Sequence, residues 1–217
     1  LTERAREVRR RHAGPDQGIC HLSQFRPIED LPAPRATPEA PVILAVGMMR
    51  EGDNLASFGR LAAALSHLTT PDWQLHIAGD GKARARVEAL FAPFEERVQY
   101  LGQLDRTAIT QAYGRASVLA WPGVNEAFGM VYLEAQSHGC PALAEAYPGP
   151  ACVLPGGALT PVGDERAMAA QIDALLSDMA LWAARSDAAR ALMRARHLLG
   201  SARKTLWGLL EPLLEVR

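Results

Sequence analysis

Cysteine is scarce in this 217-residue sequence, and its spacing excludes two kinds of site. The three cysteines are Cys20, Cys140 and Cys152, and no two of them form a C-x-x-C pair. An odd number of widely spaced cysteines argues against a disulfide framework, and the missing pair argues against a zinc site. The six histidines also lack metal-ligand spacing with one another, so no protein-bound metal is expected. A reducing, cytoplasmic location fits this composition best.

An excess of one charge and a long apolar run are also lacking. The chain has 23 basic and 24 acidic residues, and its formal net charge is -1. Because duplex binding requires neutralising many phosphates, no nucleic acid partner is expected, and a small molecule is the expected partner. No apolar stretch approaches the roughly 18 to 20 residues of a membrane span. The chain is therefore expected to be soluble or at most peripheral to a membrane.

The two ends of the chain are basic, in contrast to its middle. Residues 1–12 contain five arginines and two glutamates, and residues 183–217 contain seven basic and three acidic residues. Such ends are compatible with peripheral contact at the anionic inner face of a membrane or with a missing domain, and equally with solvated helix faces. Both interpretations stay open at this point.

Residues 1–40 differ in composition from the rest of the chain. An arginine-rich helical pattern over 2–12 is followed by a short apolar run over 18–25 and by four prolines between 27 and 38. Closely spaced prolines are typical of a linker. This part is predicted to be the tail of a preceding domain and a Pro-rich linker.

From residue 41 onward, apolar runs alternate with helical periods. The first run, 42–46, is continuously apolar and ends in Gly47, which is typical of a strand buried on both faces. Further strands are predicted at 73–78, 98–101, 117–121, 141–144 and 158–161, and helices at 56–68, 83–91, 107–113 and 129–137. This order predicts an α/β fold with a doubly wound parallel, Rossmann-like sheet over residues 41–180. Residues 181–217 are expected to form C-terminal helices that pack back on the core or on a missing N-terminal domain.

The loops that follow the strands are the places to look for a ligand. In open parallel sheets, ligands bind beyond the carboxyl ends of the strands. Three of these loops begin with glycine, at Gly47, Gly79 and Gly102, and glycine lets backbone N–H groups approach a ligand closely.

The most informative stretch, residues 125–141, combines a glycine at a helix start with two glutamates. The N–H groups of Gly129, Met130 and Val131 can meet a diphosphate, with the positive end of the helix dipole behind them. Glu126 precedes the helix, and Glu134 lies about 7 to 8 Å along its axis with its side chain pointing back toward the start. A carboxylate there suits a ribose diol, because it accepts two hydrogen bonds and donates none. The simpler alternatives are a helix N-terminal acid for Glu126 and a solvated carboxylate for Glu134.

This stretch resembles the signature of family 4 GT-B glycosyltransferases: two glutamates eight apart, an internal Phe-Gly, then Glu-Ala and Gly-x-Pro. The spacing alone is weak evidence, since Glu88 and Glu96 share it. The resemblance extends over roughly 41–178 and implies the donor-binding half of a GT-B architecture. It further implies a retaining transferase that moves a hexosyl unit from a UDP- or GDP-sugar to a glycan or lipid acceptor, which a missing N-terminal domain would hold.

Site residues follow from the same resemblance. The family's first glutamate contacts the donor sugar near the reacting centre and its second holds the ribose, which implies a catalytic Glu126 and a donor-binding Glu134. The base pocket lies near the end of the third strand, where Tyr100, Leu101 and Gly102 are candidates, with plain strand packing as the alternative.

The phosphate-binding residues depart from the family pattern. An arginine usually follows the glycine of the first strand and a lysine comes several residues later, whereas Met48 and Asn54 occupy those positions here. Arg50 is predicted to supply the positive charge, with Gly47 and Asn54 beside it. The sequence also lacks the Asp-x-Asp of GT-A enzymes, so the helix dipole and arginine, rather than a metal, are expected to neutralise the diphosphate.

Two other functions are compatible with parts of the pattern. A non-catalytic or degenerate nucleotide-sugar-binding domain would explain Met48 and Asn54. An NAD-dependent dehydrogenase would need an acidic residue about 20 residues after a glycine-rich first turn, and Asp80 follows no such turn. The segment from Gly79 to Lys82 begins like a phosphate-binding loop, but no Ser or Thr follows the lysine.

Overall fold

A computed structural model of the chain describes residues 22–214. The helix predicted over 2–12 and the start of the apolar run over 18–25 lie outside that range. Within it, one six-stranded sheet is covered by helices.

The sheet is parallel throughout and has the strand order β3-β2-β1-β4-β5-β6. Its central strands are continuous apolar runs, because helices bury both faces of the sheet. The predicted doubly wound, Rossmann-like sheet is therefore confirmed. Strand order reverses between β1 and β4, which is the switch point where such sheets bind ligands. The strands are β1 (Val42–Val46), β2 (Gln74–Ala78), β3 (Val98–Gly102), β4 (Val118–Ala120), β5 (Ala142–Glu145) and β6 (Leu159–Thr160).

The α-helices of residues 22–214 include the four with predicted bounds, each to within a few residues at both ends, and one that was not predicted. They are α1 (Asp53–Leu65), α2 (Arg84–Phe91), α3 (Arg106–Arg115), α4 (Met130–Ser137), α5 (Pro148–Val153), α6 (Glu165–Ser177), α7 (Met179–Leu192) and α8 (Leu199–Leu214). Helix α5 was not predicted, because its two prolines and Gly149 look like a loop. Both prolines fit, since Pro148 and Pro150 lie in the first turn, where a backbone N–H has no helical partner.

An aromatic cluster lies directly beneath the end of β1. The rings of Phe58 and Trp121 meet edge to face at 4.9 Å, and Trp121 is almost fully buried. A Cβ atom at Gly47 would come within 2.7 Å of the Trp121 ring. The strand-ending glycine is therefore required by packing as well as by any ligand above it.

The last two helices of the described residues differ in how they pack. In α7, Trp182 is buried and its indole Nε1 donates to the Ser117 carbonyl at 2.8 Å, so this helix packs on the core. Helix α8 leaves apolar side chains exposed, among them Trp207 at 58%. In the part of the chain from 22 to 214, no helix has both the length and the apolar character to cross a membrane.

Residues 22–35, within the predicted linker, lie against this C-terminal region. The Arg26 N–H donates to the His197 carbonyl at 2.8 Å, and the Leu199 N–H donates to the Ile28 carbonyl at 3.1 Å. His197 belongs to a π-helical turn, Met193–His197, between α7 and α8. The segment therefore follows the domain surface closely and reaches the edge of the site described next.

Candidate functional site

A large cavity opens at the carboxyl ends of β1, β2 and β3. Its volume is about 820 Å³, and its walls include Val46, the loops 47–48 and 79–82, and the side chains of Gln103, Leu104 and Ile109. This is the side of a parallel sheet on which ligands bind.

The loops after β1 and β2 touch each other through their backbones. The Met49 N–H donates to the Asp80 carbonyl at 2.9 Å. A Cβ atom at Gly79 would come within 2.0 Å of the Gly47 carbonyl oxygen, and one at Gly81 within 2.3 Å of the Met49 carbonyl oxygen. Both glycines also have positive φ, which favours glycine. The cavity therefore has a tightly packed backbone wall with few side chains in it.

A second cavity of about 380 Å³ adjoins the first, since Ile109 lines both. Met130 and Glu134, one turn apart on α4, line it together. The start of α4 and Glu134, which the sequence analysis associated with one ligand, therefore face the same cavity. The remaining lining residues are Arg26, Pro27, Ile28, Arg106, Thr110, Tyr113 and His138.

The carboxylate of Glu134 is held from two sides. Its Oε1 lies 2.8 Å from Arg26 Nη1, and its Oε2 accepts a hydrogen bond from Tyr113 Oη at 3.2 Å. Burial, and secondarily the negative charge of Glu134, raises the pKa of Tyr113 well above its ordinary value, so the phenol stays a donor. The Glu134 side chain nevertheless remains 35% exposed. The carboxylate is therefore oriented and still reachable from the cavity.

Glu126 caps the start of α4. Its Oε1 accepts hydrogen bonds from the backbone N–H groups of Phe128, at 3.1 Å, and Gly129, at 3.2 Å. Gly129 has φ of 68° and would bring a Cβ atom within 2.6 Å of Val153 Cγ2, so packing and backbone geometry both favour glycine. The Gly129 N–H is thus engaged, whereas no described residue accepts from the N–H groups of Met130 and Val131.

Helix α1 holds the loop that carries Glu126. The Val124 N–H donates to Ser57 Oγ at 2.9 Å, and Asn125 Nδ2 donates to Asp53 Oδ1 at 3.0 Å. On the opposite side, Gly149 of α5 lies so close that its Cβ substituent would meet the Glu126 carbonyl oxygen at 2.0 Å. The loop is fixed between two helices.

The predicted phosphate-binding residues occupy different surroundings. Gly47 and Met48 line the larger cavity, and Asn54 Nδ2 donates to the Met48 carbonyl at 2.8 Å, so Asn54 fixes this loop. Arg50 is exposed and is not among the residues that line either cavity.

The predicted base-pocket residues lie just before the cavity wall. Tyr100, Leu101 and Gly102 are part of β3 and do not line either cavity. The next two residues, Gln103 and Leu104, do.

Three cations at the cavities were missed as site residues by the sequence analysis. Lys82 lines the larger cavity, and Arg26 and Arg106 line the smaller one. The position of Lys82 directly after the glycine loop of β2 was the available signal. Arg26 lies in a predicted linker, where no local pattern points to a site.

The structure describes the possible metal ligands of residues 22–214. In that range no group of three or more His, Cys, Asp or Glu side chains could hold a metal ion. The expectation of a metal-free site stays a prediction.

Comparisons with known proteins identify the family of this chain. A protein family described as "Glycosyl transferases group 1" matches residues 40–178. The GDP-mannose-dependent monoacylated alpha-(1-6)-phosphatidylinositol monomannoside mannosyltransferase of Corynebacterium glutamicum is 32% identical over 134 residues, 58% of this chain and 35% of that protein.

Solved structures share the fold. Sucrose-phosphate synthase from Thermosynechococcus elongatus has a TM-score of 0.77 and 24% identity, over 100% of this chain and 58% of that one. HepE of Anabaena, in complex with UDP and glucose, has a TM-score of 0.67 and 20% identity, over 79% of this chain and 48% of that one. The chain therefore spans between 35% and 58% of the length of these proteins.

Proposed function

The chain belongs to the group 1 glycosyl transferase family, and on that premise we propose that it binds the UDP- or GDP-sugar donor of a retaining hexosyltransferase. The observation that carries this proposal is that the start of α4 and Glu134 face the same cavity. That arrangement combines free N–H groups for a diphosphate with a carboxylate for a ribose diol. The UDP bound to HepE, a protein of the same fold, supports it.

Each part of the donor has a matching surface. The apolar side chains of Leu104 and Ile109 suit a nucleobase, and Glu134 suits the ribose hydroxyls. The N–H groups of Met130 and Val131 suit the diphosphate, since they lie at the positive end of the α4 dipole.

In this proposal, two side chains supply positive charge for the diphosphate. Arg50 keeps the role implied by the family resemblance, and Lys82 joins it because it lines the larger cavity. No protein-bound metal takes part, since helix dipole and cations neutralise the leaving group.

Glu126 is proposed as the catalytic residue, in contact with the donor sugar. A carboxylate whose hydrogen bonds to the sugar strengthen as the glycosidic bond breaks raises the rate more than it raises the affinity. The acceptor, a glycan or lipid, would bind a second domain. The name of the C. glutamicum relative, a mannosyltransferase acting on a phosphatidylinositol mannoside, supports a lipid. A cytoplasmic location with peripheral contact at the inner membrane face is part of the same proposal.

The test is calorimetry of the 217-residue chain with UDP, GDP, UDP-glucose and GDP-mannose, each with and without EDTA. We expect E134Q to weaken free nucleotide and nucleotide sugar alike, by about 1.5 to 3 kcal/mol for hydrogen bonds to a charged group. We expect E126Q to spare the free nucleotide and to weaken only the nucleotide sugar.

The matched controls are E88Q and E96Q, because these glutamates have the same spacing and lie outside both cavities. Equal sensitivity of the two pairs would contradict the site assignment. Binding that disappears with EDTA would contradict the metal-free site.

A second candidate is a binding domain without turnover. It is favoured by Asn54, which donates to the Met48 carbonyl where the family has a phosphate-binding lysine. Sugar transfer after fusion to the acceptor-binding half of a relative would contradict this candidate, and nucleotide-sugar binding without transfer would support it.

A further inference from the structure

Arg26 reaches the candidate ribose site from a part of the chain that precedes the sheet. Its guanidinium lies 2.8 Å from Glu134 Oε1, and its side chain is only 18% exposed. It also lines the smaller cavity beside Glu134 and Met130. A half-buried arginine beside a carboxylate has a restricted orientation, because the planar guanidinium has fixed donor directions.

The two partners of Glu134 leave it able to bind a diol. A carboxylate has about four lone-pair sites on its two oxygens. Arg26 forms an ion pair with Oε1, and Tyr113 donates one hydrogen bond to Oε2. Each oxygen therefore keeps acceptor capacity for one of two neighbouring hydroxyl groups. The arrangement orients the carboxylate for a diol and does not block it.

The backbone around Arg26 is itself fixed. The Arg26 N–H donates to the His197 carbonyl at 2.8 Å, and His197 Nδ1 lies 2.6 Å from the Gln24 carbonyl. His197 is fully buried in the π-helical turn after α7. Turns of this kind are frequent at functional sites. Arg26 thus links the C-terminal helices to Glu134.

We propose that Arg26 is a positioning residue for the nucleotide ribose: with Tyr113 it fixes the Glu134 carboxylate so that the two oxygens meet the 2′ and 3′ hydroxyls. The inference rests on the proposed function, because it requires that a nucleotide occupies the cavity. It makes the segment 22–35 part of the donor site, although the sequence analysis assigned this segment to a linker.

The test compares a ribonucleotide with its 2′,3′-dideoxy form on the 217-residue chain. The probe is whichever of UDP and GDP the wild-type chain binds more tightly. We expect the wild-type chain to prefer the ribonucleotide roughly ten-fold or more, as hydrogen bonds to a charged group provide. R26Q should lose most of that preference while its affinity for the dideoxy form stays unchanged. R26K should restore part of the preference, because it restores the charge but not the planar guanidinium.

Two further variants separate positioning from general stability. Y113F removes only the phenol donor to Oε2, and we expect a partial loss of ribose preference. R203Q is the control, since Arg203 pairs with Glu29 of the same segment at 2.6 Å but both side chains are at least 60% exposed. R203Q should leave the preference intact.

Each possible outcome bears on the positioning role alone or on both proposals. R26Q and Y113F that keep the full ribose preference would overturn the positioning role while leaving the proposed function standing. A loss of affinity by R26Q for both nucleotide forms equally would also overturn it, because that result indicates a structural effect. A wild-type chain without ribose preference would overturn both proposals.

Discussion

Replacing Gly149 with alanine should displace the loop that carries Glu126. The added Cβ atom would lie 2.0 Å from the Glu126 carbonyl oxygen and 2.9 Å from the Ala127 carbonyl carbon. Real Cβ contacts are essentially never shorter than 3.0 Å, so the loop or helix α5 has to withdraw by about 1 Å (3.0 minus 2.0 Å). Both atoms that obstruct the methyl group belong to the backbone, which cannot rotate away.

The energetic cost follows from what holds the loop on its other side. Withdrawal from α5 pushes the loop against α1, where Val124 donates to Ser57 and Asn125 donates to Asp53. Losing or bending these two bonds costs about 1 kcal/mol each, and overpacking adds roughly 1 to 3 kcal/mol. We therefore expect a loss of about 3 to 5 kcal/mol in the free energy of unfolding. A shift of about 1 Å at Glu126 should also weaken nucleotide-sugar binding selectively.

Urea unfolding measures the stability, and calorimetry with free nucleotide and nucleotide sugar measures the site. Gly59→Ala is the matched control, because Gly59 lies inside α1 and a Cβ atom there meets nothing within 4 Å. Alanine should stabilise the chain at that position by up to about 1 kcal/mol. If Gly149→Ala unfolds at the same urea concentration as the wild type, the reasoning from the close contact is refuted.

Three further expectations concern charge. Arg50→Ala and Lys82→Ala should each weaken diphosphate binding by roughly 1.5 to 3 kcal/mol if the side chain makes a charge-assisted bond, and unchanged affinities in calorimetry would assign the phosphates to backbone N–H groups alone. Asn54→Lys should tighten diphosphate binding by adding a cation, at some cost in stability from the lost bond to Met48; weaker binding would count against a phosphate site near this loop. Burial lowers the pKa of His138 and His197 below the ordinary histidine value of about 6.5. Near and below pH 6.5, the unfolded chain therefore binds more protons than the folded chain. The free energy of unfolding should therefore fall between pH 7 and pH 5, and urea titrations that coincide at both pH values would contradict this.

Most of the fold was predictable because its signals are local. An apolar run such as Val42–Val46 indicates a strand buried on both faces. Helical segments between such runs indicate strand–helix–strand units, in which the two strands are parallel. Helix α5 escaped prediction because proline and glycine are statistical signs of a loop. Only their position within the first turn makes them compatible with a helix.

The candidate site was predictable to the extent that one stretch of sequence carries it. Met130 and Glu134 share a helix face, so periodicity alone brings them to one cavity. The choice of Arg50 as a cation and of Tyr100 to Gly102 as base contacts stays a prediction. Beyond the ends of β2 and β3, the residues that line the larger cavity include Lys82, Gln103 and Leu104.

The parallel sheet, the glycine-led helix and the positions of the two glutamates were predictable from sequence alone, because each depends on neighbours within a few turns or strands. The contacts that surround these features become visible only in the folded molecule. The contact of Arg26 with Glu134 joins a segment before the first strand to helix α4, and the close approach of Gly149 to the Glu126 carbonyl joins helix α5 to the loop before α4. Neither contact leaves a periodic pattern in the sequence, because residues distant in sequence meet only after the sheet and its helices have formed.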